Sequence, residues 1–245
     1  MQIPVRIVLV ETSHPGNVGA TARAMKTMGL SELVLVRPRD FPSEEATARA
    51  AGADDILAQV RIADSLPAAI GDCGWVVGAS ARLRTVVCPS VDPHECAEEI
   101  WRRLPENRAA IVFGPEQSGL TNEDLSRCQQ LVHIPADPEF SSLNLAMAAQ
   151  VLCYELRMTA PGRRAPSGPT ADAPLATTEE LDGFHEHLER LLTDSGFLQP
   201  EHQKQVKLKL RRIFLRAAVD RNEMSILRGV LTALDPNKRR TQRTP

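Results

Sequence analysis

Aromatic side chains are scarce: two Trp, one Tyr and six Phe make up 4% of 245 residues. Broad base-stacking platforms, which need several exposed rings, are therefore not expected. The five cysteines, Cys73, Cys88, Cys96, Cys128 and Cys153, lie at least eight residues apart and form no CxxC pair. Neither a zinc site nor a disulfide framework is indicated, and no metal is expected. His94, between Cys88 and Cys96, reads as a loop residue. Long hydrophobic runs are missing: residues 7–10 are apolar, and Glu11 follows directly. Such a run is too short for a signal peptide or a membrane span, so a soluble, cytoplasmic protein is expected, without a membrane partner. Nor does G-x-G-x-x-G follow this run, and no acidic residue closes residues 33–36. A nicotinamide-dependent Rossmann enzyme, one alternative for a chain of alternating strands and helices, would carry both.

The net charge of −2 conceals an asymmetry. Residues 1–160 hold 14 Lys/Arg against 20 Asp/Glu, whereas residues 177–245 hold 13 against 10. Within the second part, residues 202–219 carry six basic side chains and no acidic one. Such a block either touches phosphates or is a solvated helix face.

Short apolar, β-prone runs at 7–10, 33–36, 75–77, 109–113 and 131–134 alternate with helical patterns at 20–28, 46–53, 64–70, 93–104 and 122–128. This alternation predicts an α/β fold with a parallel sheet flanked by helices on both faces. Gly29 is the expected C-cap of the first helix. Residues 134–158 read as a Pro-rich loop, a Ser-Ser pair and a helix, with Ser141 or Ser142 as N-cap and Asn144 one turn inside. Residues 159–178, rich in Pro, Gly, Ala, Ser and Thr, read as a flexible linker. It separates a first domain, 1–158, from a small all-α module, 179–245, with helical candidates at 180–194, 203–216 and 223–234. In the second of these, Val206, Leu210, Ile213, Phe214 and Ala217 fall on one face, with Lys204, Lys207 and Arg211 on another.

Ligands of open α/β sheets bind beyond the carboxyl ends of strands. After the first strand, Gly16-Asn17-Val-Gly19 with Arg23 beyond reads either as a phosphate cradle at a helix start or as a Gly-rich turn with a solvated Arg. Gly78-Ala79-Ser80-Ala81 permits close approach to the backbone, and is equally a tight turn. Phe113-Gly114-Pro-Glu116-Gln-Ser-Gly119-Leu120 ends a strand with two glycines and a carboxylate, which implies a geometric demand. Glu116 is placed either to accept backbone amides and position a partner, or as an exposed turn residue.

Taken together, Asn17 with Arg23, then Phe113-Gly114-x-Glu116-x-x-Gly119-Leu120, then Ile134-Pro135 followed by Ser142-Leu143-Asn144-Leu145-Ala146 resemble the three motifs of the SpoU-type RNA 2′-O-ribose methyltransferases of the SPOUT superfamily. Val8-Leu-Val-Glu-Thr-Ser-His14, Arg23-Ala-Met-Lys-Thr-Met-Gly29, Leu120-Thr-Asn-Glu123 and the helical module are similar to the bacterial branch acting on C or U at nucleotide 32 of tRNA. The resemblance covers about the first 158 residues closely and departs at Pro115, Gln117 and Ser118, where some relatives carry arginines.

The resemblance implies a C-terminal trefoil knot in the first domain and a homodimer with the active site at the subunit interface. It implies that S-adenosylmethionine is held by Ala79, Ser80, Ala81, Gly114, Ile134, Ser141, Ser142 and Leu143. It places Arg23, Asn17, Glu116, Ser142 and Asn144 in the catalytic set, with Asn17 and Glu116 holding Arg23 or the ribose. RNA contacts are expected from Arg23, Lys204, Lys207 and Arg211. A non-catalytic RNA-binding protein with a decayed core would tolerate loss of Asn17, Arg23 or Asn144, and all three are present.

Overall fold

The computed structural model describes residues 2–81, 89–161, 173–198 and 203–235. The first domain runs β1 (Val5–Val10), α1 (Pro15–Met28), β2 (Leu33–Val36), α2 (Glu44–Ala50), α3 (Asp54–Ala58), β3 (Arg61–Ala63), α4 (Leu66–Ile70), β4 (Trp75–Ala79) and β5 (Ser90–Val91). It continues through α5 (Pro93–Arg103), β6 (Ala109–Phe113), α6 (Asn122–Leu125), β7 (Gln130–Val132) and α7 (Leu145–Met158). The seven strands form one parallel sheet in the order β3-β2-β1-β6-β4-β7-β5. The expected fold class is thus present, with β3, β5 and α3 as additions too short to leave a periodic signal.

Alternation along β1 explains why helices cover both faces. Ile7 and Leu9 pack with Val18, Met25, Ile111 and Leu152, while Val8 and Val10 pack with Val34, Leu66, Val112 and Leu125. Full burial of each such side chain contributes about 1.5–3 kcal/mol. Arg6 is 3% exposed within this strand. Its guanidinium donates to Glu32 at 2.7 Å, to the Ala69 carbonyl at 2.7 Å and to Asp72 at 2.5 and 3.0 Å. The hydrogen bond from Arg6 outweighs partial burial and draws the Asp72 carboxyl down to about 2.

Helix starts correct several sequence expectations. Helix α1 begins five residues before residue 20, because Pro15 occupies the first turn and His14 Nδ1 accepts from Gly16 N at 3.2 Å. Gly29 closes it in the left-handed region (φ 87°), as expected. Asn144, not Ser141 or Ser142, caps α7: its Oδ1 accepts from the amides of Ala146 (2.9 Å) and Met147 (3.4 Å). The serines remain in the preceding loop. His94 lies in the first turn of α5 rather than in a loop, with Nδ1 3.0 Å from Glu155 of α7.

The carboxy-terminal module comprises α8 (Thr178–Asp194), α9 (Gln203–Ala217) and α10 (Arg221–Leu234). Phe184, Leu215, Val219, Met224 and Leu231 form its core, and the Phe184 and Phe214 rings meet edge to face at 4.7 Å. The apolar face expected on α9 is rotated: Ile213 and Ala217 are exposed, whereas Leu215 is buried. Much of the segment read as a linker lies outside the described residues. At its far end Leu175 and Ala176 are buried, Leu175 N bonds Asn107 Oδ1 at 2.7 Å, and Thr177 caps α8. Thr178 N and Oγ1 then donate to the Cys73 carbonyl at 3.0 and 2.9 Å, seating the module on the sheet domain.

Candidate active site

Loops following β4, β6 and β7 line a cavity of about 320 Å³ at the carboxyl end of the sheet, and the loop after β1 joins them through hydrogen bonds to Glu116 and Asn144. All eight residues expected to hold a cofactor line it: Ala79, Ser80, Ala81, Gly114, Ile134, Ser141, Ser142 and Leu143. Ser80 N donates to the Val132 carbonyl at 3.0 Å and His133 Nδ1 to the Ser80 carbonyl at 3.1 Å, which fixes the β4 end against β7. The loop after β6 doubles back so tightly that a Cβ on Gly114 would lie 2.2 Å from Leu120 N. Only glycine fits there, which is the geometric demand that two glycines at a strand end imply.

The polar rim of this cavity is one connected chain of hydrogen bonds. Glu116 Oε2 accepts from Ser13 N at 3.0 Å and Ser13 Oγ at 2.8 Å. Its Oε1 accepts from Asn17 Nδ2 at 2.7 Å and from His14 N at 3.4 Å. Asn17 Oδ1 then accepts from Asn144 Nδ2 at 2.9 Å, and Asn144 caps α7. Burial raises the Glu116 carboxyl, but the Ser13 amide, the Asn17 side chain and the Ser13 hydroxyl outweigh it, and the net shift is downward. Glu116 is therefore an ionised anchor at neutral pH, unsuited to accept a proton there. Each member of the chain orients the next: Glu116 fixes Asn17, Asn17 fixes Asn144, and Asn144 fixes the start of α7.

Glu116, Ser142 and Asn144 line the cavity, and Asn17 joins them through hydrogen bonds. Within one chain, the side-chain hydrogen bonds of Asn17 and Glu116 go to each other and to Ser13, His14 and Asn144, and not to Arg23. Arg23 projects from α1 into solvent and makes no hydrogen bond or ion pair with the described residues. Gly16 and Gly19 sit in the first turns of α1, where the Gly16 amide is taken by His14 Nδ1. A Cβ on Gly19 would lie 1.9 Å from the Ala46 carbonyl oxygen, so this glycine serves the packing of α1 on α2. Among the expected RNA contacts on α9, Lys204 is exposed, Lys207 Nζ lies 3.0 Å from Glu189, and Arg211 pairs with Asp182. Ser13 and His14 join the site without an expected role, although a Ser-His pair directly before a proline at a helix start is a usable capping signal.

The cavity fits S-adenosylmethionine in kind. Its lining combines small residues at Ala79, Ser80, Ala81 and Gly114 with the apolar side chains of Leu120, Val132, Ile134 and Leu145, the mixture that a ligand with both polar and apolar parts needs. Its volume lies at the lower end of the usual 300–1,000 Å³ or so for small-molecule sites. Among the described residues, no group of three or more His, Cys, Asp or Glu side chains is placed to hold a metal ion. No helix among them is long and apolar enough to cross a membrane.

Comparison with known proteins places these features in company. The SpoU rRNA methylase family matches residues 4–154, and the family described as "tRNA methyltransferase TrmJ, C-terminal domain" matches residues 179–244. A Pseudomonas aeruginosa tRNA (cytidine/uridine/adenosine-2′-O-)-methyltransferase TrmJ is 51% identical over 237 residues, 93% of this chain and 92% of that one. A Yersinia pestis tRNA (cytidine/uridine-2′-O-)-methyltransferase TrmJ is 46% identical over 242 residues, 98% and 94% of the two chains. The crystal structure of TrmJ from Z. mobilis ZM4 superposes with a TM-score of 0.82 at 34% identity, covering 94% of this chain and 98% of that one.

Proposed function

From the premise that the chain belongs to the SpoU methylase family and ends in a TrmJ-type domain, we propose that it is a tRNA 2′-O-methyltransferase. It methylates the ribose of C or U at nucleotide 32 of the anticodon loop, from S-adenosylmethionine, in the cytoplasm. The observation that carries this reading is the hydrogen-bonded chain Glu116–Asn17–Asn144, which ties the three motifs together on the rim of one cavity. A decayed core would have no reason to keep every link of it.

S-adenosylmethionine supplies an activated methyl group and needs no metal. The protein's share is to hold cofactor and ribose in line and to exclude water. Ala79, Ser80, Ala81, Gly114, Ile134, Ser141, Ser142 and Leu143 hold the cofactor, in a domain whose C-terminal part is threaded as a trefoil knot. Ser142 and Asn144 face the reacting centre. A ribose hydroxyl is a weak nucleophile, and a guanidinium stays protonated, so Arg23 is not its base. Arg23 instead stabilises the developing alkoxide and grips the neighbouring phosphate, with the proton passing to phosphate or water.

Because Arg23 is exposed and does not line its own cavity, it acts on the site of a partner subunit. Helix α7, which packs against α1, displays Met147 (63% exposed), Tyr154 (45%) and Met158 (38%) on one face. This exposed apolar stripe suits a homodimer interface. The nucleotide at position 32 lies in a loop and can be splayed out. Recognition of C and U alike follows if the ribose is read more than the base edge.

The test is transfer of labelled methyl groups from S-adenosylmethionine to unmodified tRNA and, separately, to ribosomal RNA. Label confined to tRNA and lost with Asn144→Ala supports the reading; label on ribosomal RNA alone overturns it.

A further inference from the structure

Helix α9 carries six cations and no acidic residue, and the structure divides them by what they meet. Lys207 and Arg211 face α8. Lys207 pairs with Glu189, and Arg211 pairs with Asp182 while its Nε donates to the Ser126 carbonyl at 3.3 Å. Asp182 is shared with Arg127 of the sheet domain at 3.1 Å. These two cations of α9 are thus occupied in holding it against α8 and the sheet domain.

Lys209, Arg212 and Arg216 lie at i, i+3 and i+7, on one face turned away from α8. Lys209 and Arg216 are exposed, Arg212 is half-buried, and none of the three has a hydrogen bond or ion pair among the described residues. They span about 10 Å along the helix. Like charges at i+3 and i+4 destabilise a helix, and a merely solvated face normally intersperses both signs. Arg216 gains from the helix dipole in the last turn, but Lys209 and Arg212 do not. Uncompensated cations in register on a chain of net charge −2 point to an anion supplied from outside.

We propose that Lys209, Arg212 and Arg216 are the phosphate-binding edge of α9, contacting the backbone of the RNA substrate, while Lys207 and Arg211 hold the helix in place. This rests on the tRNA reading above. It moves the RNA contacts of α9 from the face bearing Lys204, Lys207 and Arg211 to the opposite side of the helix.

The experiment measures the dissociation constant of the full chain for an unmodified tRNA transcript across a series of KCl concentrations. Each phosphate contact contributes about 0.7–0.9 to the slope of log affinity against log salt. Lys209→Gln/Arg212→Gln/Arg216→Gln is expected to weaken binding and flatten that slope by about two to three. Lys207→Gln leaves the slope unchanged. If the triple variant fails to fold, Arg212→Gln alone flattens the slope by about one. A triple variant that binds with wild-type affinity and slope overturns the proposal and leaves the tRNA reading standing. A wild-type chain that does not bind the transcript at any salt overturns both. Retained tRNA binding with loss of binding to an acidic protein surface also overturns it, since the edge would then serve a protein partner.

Discussion

Arg23 and Glu116 are both charged, yet their surroundings give them opposite tasks. Glu116 has its oxygens filled by Ser13, His14 and Asn17, so its charge is used to orient neighbours. Arg23 has no such neighbours among the described residues, and its charge is available to a second molecule. If its planar fork is needed to grip the alkoxide and phosphate together, Arg23→Lys keeps the charge and still loses about tenfold or more in kcat. Steady-state methyl transfer checks this; near-normal turnover would mean that a point charge suffices. The motif residues were legible in the sequence because chemistry needs particular side chains at particular loops. Their mutual hydrogen bonds were not, since Asn17 and Glu116 are 99 residues apart. Linear order says nothing of which amide meets which carboxylate.

Asn144 shows how one residue ties an element to the site. Its Oδ1 caps α7 while its Nδ2 reaches Asn17, so two substitutions separate the roles. Asn144→Asp retains a good cap and is expected to unfold at the wild-type temperature while losing methyl transfer. Asn144→Ala loses transfer and about 1 kcal/mol of stability as well. Calorimetry alongside the activity assay distinguishes them, and full activity in Asn144→Asp would make the link to Asn17 dispensable. The Ser-Ser pair looked like the cap because Ser is a favoured capping residue. Asn is equally favoured, and composition alone does not rank three neighbouring candidates.

In α8, His185 is 4% exposed between Phe184 and Phe214. Burial, reinforced by the charge of Arg211 and opposed by Asp182, pushes it down to about 4. The unfolded chain binds a proton at His185 near pH 6.5, whereas the folded chain does not until about pH 4. Its contribution to stability is complete above pH 6.5 and declines as the pH falls from there towards 4. His185→Leu should flatten the fall in unfolding temperature across that window, followed by circular dichroism. An unchanged acid limb would assign it to other groups.

For the whole molecule, the parallel sheet, its two helical layers and the end at which the cavity lies followed from the alternation of apolar runs with helices, because both sheet faces must be buried. The strand order β3-β2-β1-β6-β4-β7-β5 did not, since alternation does not say which strands are neighbours. Nor did the seating of the helical module. It depends on Asp182 bridging Arg127 and Arg211, a long-range charge pattern without sequence periodicity. Assembly is testable by complementation. If Arg23 serves the partner's site, mixing Arg23→Ala chains with Asn144→Ala chains builds one intact site per heterodimer. With random exchange, about a quarter of wild-type activity returns. If Arg23 serves its own site, none returns.

The central claim is tested most directly by nucleoside mass spectrometry of unmodified tRNA transcripts incubated with S-adenosylmethionine and the protein, with Arg23→Ala alongside. The account predicts a 2′-O-methylated C or U that maps to nucleotide 32 and is absent with Arg23→Ala. A methyl group on a base or at another nucleotide, or one that persists without Arg23, would contradict it.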